Sequence, residues 1–428
     1  MRKQQFLCTT VFMLVLAAVA TTPTQAQTYT VLHLFTNMPD GGNPAGPLIQ
    51  DAQGTLYGTT KGGGGCDGGL PCGTVFKVDS DGTETVLYSF QGGSDGVYPL
   101  AGVIRDAAGN LYGTTQGNGF LGALSTVFKL TPAKNGQWKE TVLYDFNGPE
   151  GGSQDEPLVL DQDGNLYGTS PGGGKPNCGW GRFNAGCGSM YKLTPDRKIT
   201  VIHVFTGLDG MQPEGGLVRD AKGNLYGSTI FGGIRSCKSP GGGGYPEPGC
   251  GTVYKLDVSG KLTVLHKFTG HEDGSNPVGV IVDGAGNLYG IADAGGVICN
   301  ANYIYGCGTI FKIDNAGKFS VLYKFDPQSP GLGFVYSNLV RDSKGNLYGT
   351  NEYGGTNNAG FLFELDTKEK FSVLYDFAGL GETQDGNNPQ GVIMDSAGNF
   401  YGNMFIGGLQ NENFCGAAGC GTVFKLTH

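Results

Sequence analysis

The protein is a chain of 428 residues, of which 79 are glycine and 20 are proline, and its formal net charge is −9. So much glycine and proline approaches the composition of disordered chains, but aromatic residues supply 11% of the sequence and the glycines recur at fixed positions of a repeat. An acidic chain lacks the basic surface that releases counterions from a polyanion, which argues against a nucleic-acid partner.

Residues 1–26 have the pattern of a secretory signal peptide. Arg2 and Lys3 precede an apolar run from Phe6 to Ala20, and a small residue, Ala26, ends the polar stretch that follows. The apolar run is shorter than the roughly 20 residues of a membrane span, so an uncleaved membrane anchor is the weaker alternative. We predict cleavage after Ala26, a secreted or periplasmic protein, and no transmembrane segment once the signal peptide is removed.

Four short apolar segments recur seven times in the rest of the chain. In each copy a run ending in Asp is followed by a Leu-Tyr-Gly triplet, a run similar to Gly-Thr-Val-Phe-Lys-Leu and a run similar to Thr-Val-Leu-Tyr-Asp-Phe. The triplets begin at Leu56, Leu111, Leu166, Leu225, Leu288, Leu347 and Phe400. Four strand-like segments in each of seven repeats predict an all-β fold, a seven-bladed β-propeller with four-stranded antiparallel blades. We expect residues 27–428 to form it as a single domain.

The order of the segments predicts how the ring closes. The mature chain begins with a fourth-strand segment, Thr30 to Phe35, that has no blade of its own, and it ends with a three-segment blade that reaches Leu426. Pairing of these two ends completes the last blade and removes a free sheet edge. We therefore expect the N-terminal strand to be the outer strand of the seventh blade.

Two kinds of connection alternate within a blade. The sequence Asp-x-x-Gly-Asn, as in Asp106 to Asn110, predicts a tight turn between the first and second strands, because Asp caps the turn and Gly accepts a positive φ. The connection from third to fourth strand is equally short, as in Asp257 to Gly260. Both turns lie on one face of the ring, the turn face. The long loops between second and third strands and the connections between blades lie on the opposite face, the loop face, where we expect any ligand site.

Ten cysteines fall two by two in the loops between second and third strands, and Cys8 lies in the predicted signal peptide. Paired cysteines in an exported chain predict disulfide bonds within the loops, with zinc as the alternative. The predicted bonds are Cys66–Cys72, Cys178–Cys187, Cys237–Cys250, Cys299–Cys307 and Cys415–Cys420.

The connections between blades repeat the sequence Asp-Gly-x-x-Pro. Asp, Gly and Pro together are typical of a stiff turn, whereas calcium binding would need clustered carboxylates, which these connections lack. We predict no metal and no cofactor, and calcium is the alternative. The copies begin at Asp40, Asp95, Asp209, Asp273 and Asp385.

Histidine chemistry is not indicated. Three of the five histidines, His33, His203 and His266, occupy one fourth-strand position that is Tyr in the other repeats, so we interpret them as peripheral packing residues. A Ser-His-Asp triad or a His-rich metal centre is therefore not predicted.

The residues just before the repeated prolines are expected to surround the mouth of the central channel on the loop face. Amides there suit sugar hydroxyls, because an amide both donates and accepts hydrogen bonds, and aromatic side chains on the pinned loops offer binding platforms. The ligand-binding candidates are Asn43, Tyr98, Gln212, Asn276 and Asn388 at the mouth, and Trp180, Arg182, Tyr303 and Tyr305 in the loops. Glu156 and Glu214 form the carboxylate pair available for acid–base chemistry.

From Thr30 to Leu426, the Gly-Asn-Leu-Tyr-Gly-Thr-Thr, Gly-Thr-Val-Phe-Lys-Leu and Thr-Val-Leu-Tyr-x-Phe motifs resemble the bacterial GloVer tandem-repeat proteins of the choice-of-anchor type. The resemblance implies an exported propeller and brings no catalytic residues. We expect a monomeric binding or scaffold module for a glycan or an extracellular protein. The alternative is an extracytoplasmic lactonase, lyase or glycosidase that uses Glu156 and Glu214.

Overall fold

The repeats form a ring of four-stranded antiparallel sheets, so the predicted seven-bladed propeller is confirmed. The computed structural model describes residues 27–65, 71–117, 125–134, 136–146, 156–174, 178, 186–239, 247–297, 306–325, 339–380, 385–408, 415 and 418–427. None of the helices in these ranges has the length and hydropathy that crossing a bilayer requires.

Each blade runs from an inner first strand to an outer fourth strand. The strands are Gly42–Gln50, Leu56–Gly62, Thr74–Val78 and Glu84–Ser89 in blade 1; Val103–Arg105, Leu111–Thr115, Ser125–Pro132 and Trp138–Phe146 in blade 2; Val159–Leu160, Leu166–Ser170, Ser189–Leu193 and Ile199–Val204 in blade 3; and Met211–Arg219, Leu225–Phe231, Thr252–Leu256 and Leu262–Lys267 in blade 4.

The remaining strands follow the same order. They are Ser275–Val282, Leu288–Ala294, Thr309–Ile313 and Phe319–Lys324 in blade 5; Val340–Arg341, Leu347–Asn351, Phe361–Leu365 and Phe371–Asp376 in blade 6; and Asn387–Met394, Phe400–Ile406, Thr422–Thr427 and Thr28–Leu34 in blade 7. A short ribbon, Lys238–Ser239 with Glu247–Pro248, and a 3-10 helix, Gly93–Asp95, lie outside the blades.

The N-terminal strand closes the ring, as predicted. Thr28–Leu34 pairs antiparallel with Thr422–Thr427, from Thr28 opposite Thr427 to Leu34 opposite Thr422. The Tyr29 hydroxyl also donates to the Asp385 carbonyl oxygen at 2.9 Å. The first and last strands are therefore joined by an antiparallel ladder with one irregularity between Val31 and His33, and the Tyr29 hydroxyl also binds the first strand to the connection before blade 7.

A tyrosine–aspartate hydrogen bond fixes the first turn of all seven blades. The Tyr of each Leu-Tyr-Gly triplet, or of Phe-Tyr-Gly in blade 7, donates its hydroxyl to the Asp that opens the turn, at 3.0 to 3.2 Å. In blade 2, burial raises the pKa of Asp106, but hydrogen bonds from Asn110 and Tyr112 outweigh it and hold that pKa below its ordinary value. The Tyr of the triplet is therefore both a core residue and the anchor of the turn.

The apolar core lies between neighbouring blades. Leu56 and Phe76 of blade 1 pack in one buried cluster with Phe35 and Val423 of blade 7. The Phe76 ring lies over Gly58 of the adjacent strand, where a Cβ atom would come within 2.6 Å of the ring. The Gly of the Leu-Tyr-Gly triplet is thus required by the close approach of an aromatic ring.

At the outer rim, a fourth-strand ring of one blade contacts the fourth strand of the next. The stacked pairs are His266–Phe319, Tyr323–Phe371 and Tyr375–Tyr29, with centroid separations of 3.7, 4.5 and 4.8 Å. Blades 1 and 2 carry Glu84 and Glu140 at the strand position of Phe319. Two of the seven interfaces therefore contain a carboxyl group where others contain a ring.

These two carboxyl groups are poorly solvated. Burial raises the pKa of Glu84 to about 7, while the adjacent His33 lowers it and Asp40 raises it. Burial and two nearby aspartates raise the pKa of Glu140 to about 7. In both, Oε1 is buried with no hydrogen-bond partner among the described residues. Ionisation of either group is therefore opposed by the fold.

The raised pKa of Glu84 predicts a stability that falls as the pH rises. The folded-state pKa of about 7 lies above the ordinary 4.5, so the contribution is complete below about pH 4.5 and is lost as the pH rises through 7. Glu84→Gln should raise the Tm at pH 8.5 by roughly 1–2 °C and leave it nearly unchanged at pH 4.5. Glu369→Gln, at an exposed turn, is the control. Equal effects of Glu84→Gln at both pH values would contradict this assignment.

Candidate functional site

The aspartates of the inter-blade connections bind side chains of the preceding outer strand. His33, His203 and His266 contact Asp40, Asp209 and Asp273 at 3.1, 2.9 and 3.1 Å. In two other connections a tyrosine hydroxyl donates to the aspartate, Tyr88 to Asp95 and Tyr375 to Asp385. The three histidines thus have a polar structural role in addition to the packing role that we expected.

This arrangement agrees with the interpretation of Asp-Gly-x-x-Pro as a turn. Asp40, for example, also accepts the backbone N–H and the hydroxyl of Thr36. Within the described ranges no group of three or more His, Cys, Asp or Glu side chains is arranged to hold a metal ion. The carboxylates of these connections accept hydrogen bonds from the outer strand and from the connection itself, and Oδ1 of Asp95 alone among them is buried without a partner in the described residues.

The residues before the prolines adopt a left-handed backbone conformation. Their φ angles are 53° for Asn43, 58° for Tyr98, 55° for Gln212, 56° for Asn276 and 60° for Asn388. Asn tolerates this region, whereas Tyr and Gln do so at a cost. The same uncommon conformation at five equivalent places shows that the ring imposes it.

At four of these five places the conformation accompanies a hydrogen bond to the preceding blade. In four connections the backbone N–H of this residue donates to the carbonyl oxygen of the second cysteine of the previous blade. The pairs are Asn43 to Cys420 at 2.6 Å, Tyr98 to Cys72 at 2.9 Å, Gln212 to Cys187 at 2.8 Å and Asn276 to Cys250 at 2.9 Å. We call this contact the inter-blade joint.

The joint includes the disulfide bonds of the loop face. Cys178–Cys187, Cys237–Cys250 and Cys415–Cys420 are bonded, as expected from their pairing in the sequence. Cys72 and Cys307 are also disulfide-bonded, and their expected partners, Cys66 and Cys299, lie outside the described residues. The second cysteine of each disulfide therefore lies next to the start of the third strand. In four blades its carbonyl oxygen accepts the hydrogen bond from the next blade.

A glycine and a proline complete the joint. A Cβ atom on Gly251, which follows Cys250, would lie 2.5 Å from Cδ of Pro277 and 2.3 Å from the carbonyl oxygen of Thr229. The glycine also has a φ of 94°. The corresponding close approaches are Gly73 to Pro99, Gly188 to Pro213, Gly360 to Pro389 and Gly421 to Pro44. Blade 2 departs from the pattern, because Ser125 stands at this place and donates its hydroxyl to the Gln116 carbonyl oxygen.

Two of the side chains predicted to surround the mouth bind the neighbouring blade. The Asn43 amide donates to the Phe405 carbonyl oxygen at 2.9 Å, and the Asn388 amide donates to Glu352 Oε1 at 2.8 Å. Lys61 lies 5.7 Å from the centroid of the Tyr98 ring. The structure therefore uses part of the predicted amide ring to join blades.

The other predicted site residues are placed as follows. Gln212 and Asn276 are half-buried at the starts of blades 4 and 5. Glu156 immediately precedes blade 3, and Glu214 lies in the first strand of blade 4, opposite Ser228. The loop candidates Trp180, Arg182, Tyr303 and Tyr305 lie outside the described residues.

Sequence reasoning missed Glu352, the partner of the Asn388 amide. Burial raises the pKa of its carboxyl group, and the hydrogen bond from Asn388 lowers it. Its Oε2 atom is buried with no partner among the described residues. The available signal was its position five residues after Leu347 of the triplet, because the same position in blades 1 and 2 carries the polar residues Lys61 and Gln116.

Fold and cysteine pairing together define a disulfide-bonded seven-bladed β-propeller. The chain belongs to the Gloeobacter/Verrucomicrobia repeat family, and the sequence pattern of this family matches residues 17–238 and 180–424. No curated protein matches the sequence.

Three solved structures share the fold at low identity. They are the extracellular domain of a protein described as a one-component system from B. thetaiotaomicron (TM-score 0.52, 11% identity, 92% of this chain and 39% of that chain), the Dos1 propeller (0.52, 10%, 90% and 78%), and PorZ, a surface component of the type-IX secretion system of Porphyromonas gingivalis (0.50, 14%, 91% and 47%). The chain spans less than half the length of the first and the third. These likenesses show the fold alone.

The joint predicts unequal effects at two glycines of blade 4. Gly260 has a φ of 83°, and a Cβ atom added to it would have open space around it. Gly251 has a φ of 94°, and a Cβ atom added to it would contact Pro277. Gly260→Ala should cost about 1 kcal/mol of unfolding free energy through backbone strain, and Gly251→Ala about 3 kcal/mol or more because overpacking adds to the strain. Urea unfolding of the two variants measures the difference. Similar costs at both positions would show that the joint is not tightly packed.

Proposed function

We propose that this chain is a non-enzymatic binding module that holds a glycan or an extracellular protein on its loop face. The observation that carries the proposal is the inter-blade joint. It joins the second cysteine of a loop to the next blade through the Cys carbonyl oxygen, so the base of each such disulfide-bonded loop is held in place. Preorganised surfaces bind with less loss of conformational entropy than mobile ones.

Among the two ligand classes, the mouth favours a glycan. Gln212 and Asn276 carry half-buried amide side chains at the starts of neighbouring blades, and Tyr98 carries an aromatic ring at the start of blade 2. An amide can both donate to and accept from sugar hydroxyls, and an aromatic face packs against the apolar side of a pyranose ring. A protein ligand would instead rely on the larger loops around the mouth.

The disulfide bonds support an oxidising compartment. We therefore propose that the protein acts outside the cytoplasm, as a secreted or periplasmic protein. Two of the structures that share its fold are described as an extracellular domain and as a bacterial surface component.

Glycan binding predicts that two mouth amides contact the ligand. Gln212→Gly and Asn276→Gly remove the side chains while keeping a residue that accepts the positive φ. Each should weaken binding on a glycan array or in calorimetry about tenfold, the loss expected from one or two hydrogen bonds. Arg197→Gly, at a φ of 65° on the turn face, is the matched control and should bind normally. If all three variants bound the glycan with equal affinity, the ligand would lie elsewhere on the protein.

The enzyme alternative depends on Glu156 and Glu214. One observation bears on it: burial, and secondarily the Glu156 carboxylate, raise the pKa of the Tyr254 hydroxyl, so Glu156 lies near this buried hydroxyl. A lactonase, lyase or glycosidase would turn over a sugar lactone or polysaccharide.

The binding proposal predicts that Glu156→Gln and Glu214→Gln leave glycan binding within about twofold, a difference of less than 0.5 kcal/mol, with no turnover in the wild type. Release of product from a sugar lactone or polysaccharide, abolished by either substitution, would establish the enzyme alternative. Chromatography of the reaction mixtures distinguishes the two.

A further inference from the structure

The third-strand aromatic residue of the propeller differs at two blades. Five blades have Phe there, namely Phe76, Phe128, Phe311, Phe363 and Phe424. Blades 3 and 4 have Tyr191 and Tyr254. Both tyrosines are fully buried, and neither hydroxyl has a hydrogen-bond partner among the described residues.

The two tyrosines face the two sides of blade 3. Tyr191 packs in a cluster with Val127 and Phe146 of blade 2, whereas Tyr254 packs with Met190 and Phe205 of blade 3. Their hydroxyl groups extend over the second-strand glycines of their own blades, towards the inner strands. One phenol therefore lies in the blade 2/3 interface and the other in the blade 3/4 interface.

A second unpartnered hydroxyl lies in each of these interfaces. Thr114 has the same strand parity as Tyr112, which packs in the cluster between blades 2 and 3, and Thr169 has the same parity as Tyr167, which packs between blades 3 and 4. The two threonines are 0% and 2% exposed. Neither Oγ1 atom has a partner among the described residues.

Equivalent second-strand groups elsewhere are bonded. Thr59 donates to the Ala45 carbonyl oxygen, and the Asn403 amide donates to the Gly46 carbonyl oxygen. Ser228 donates to the Glu214 carbonyl oxygen and accepts the backbone N–H of Gly279 from blade 5. These partners all come from first strands that contain a glycine bulge.

Blade 3 lacks the backbone that serves this purpose. Its first strand is only Val159–Leu160. The second residue after Pro157 is Val159, whereas the second residue after Pro277 of blade 5 is Gly279. The backbone donor that Gly279 offers to Ser228 has no counterpart there. The hydroxyl of Thr114 faces this shortened strand.

A buried hydroxyl with no partner is unfavourable, and internal waters typically satisfy such groups. We propose that the blade 2/3 and blade 3/4 interfaces each bind one internal water molecule, which bridges Tyr191 to Thr114 in the first and Tyr254 to Thr169 in the second. The water replaces the backbone contact that the short first strand of blade 3 cannot make. Blade 3 is thereby joined to both neighbours through water.

The test consists of two double-mutant cycles. One combines two substitutions in the blade 2/3 interface, and the other combines one substitution from each interface. Tyr191→Phe introduces the residue that five other blades use at this place, and Thr114→Val keeps the shape of the side chain, so both variants should fold. Each should lower the Tm by roughly 1–2 °C. The double variant Thr114→Val/Tyr191→Phe should lose clearly less than the sum, because both groups bind the same water. Thr114→Val/Tyr254→Phe, in different interfaces, should be additive.

Two further results decide the matter. Phe128→Tyr is the matched control, because it places a phenol in an interface where Thr59 is already bonded, and it should lower the Tm. A high-resolution crystal structure should show one water oxygen within hydrogen-bonding distance of the Tyr191 and Thr114 oxygens. A higher or unchanged Tm for Tyr191→Phe, or additive losses within the blade 2/3 interface, would overturn the proposal.

Discussion

The propeller depends on one backbone hydrogen bond that crosses from blade to blade. A residue with positive φ, placed just before a proline, donates its N–H to the carbonyl oxygen of the second cysteine of the preceding blade. The adjacent glycine lets the proline ring approach that point closely. A single bond of this kind is worth only about 1 kcal/mol. In blades 1, 2, 4 and 5 it sets the position of the first strand relative to the previous blade.

This contact explains why the cysteines lie where they do. A short intraloop disulfide contributes about 2–3 kcal/mol by restricting the unfolded chain, and here it also holds the carbonyl oxygen that receives the next blade. Blades 2 and 6 lack the cysteines, and blade 2 further lacks the glycine. The cysteine-bonded joint is therefore not repeated at every blade, and blade 3 follows a blade without these cysteines.

Local chemistry made most of the fold predictable. The turn from Asp106 to Asn110 indicated blade order, because its residues lie close in sequence. The unpaired segment from Thr30 to Phe35 indicated ring closure, because it repeats the fourth-strand pattern and the last repeat lacks that strand. The conformations of Tyr98 and Gln212 could not be predicted, since neither residue prefers positive φ and the preceding blade imposes it. The His203–Asp209 contact was also missed. Its signal was a residue with a hydrogen-bonding tip, Tyr or His, at one fourth-strand position in all seven repeats.

The most direct test of the joint is hydrogen exchange before and after mild reduction of the disulfides. The amides of Gln212 and Asn276 should be protected in the oxidised protein and should exchange much faster once Cys178–Cys187 and Cys237–Cys250 are reduced. Ladder amides of the central strands, such as Val253, should keep their protection. Unchanged protection of Gln212 and Asn276 after complete reduction would contradict the account, because it would show that the disulfides do not hold the joint.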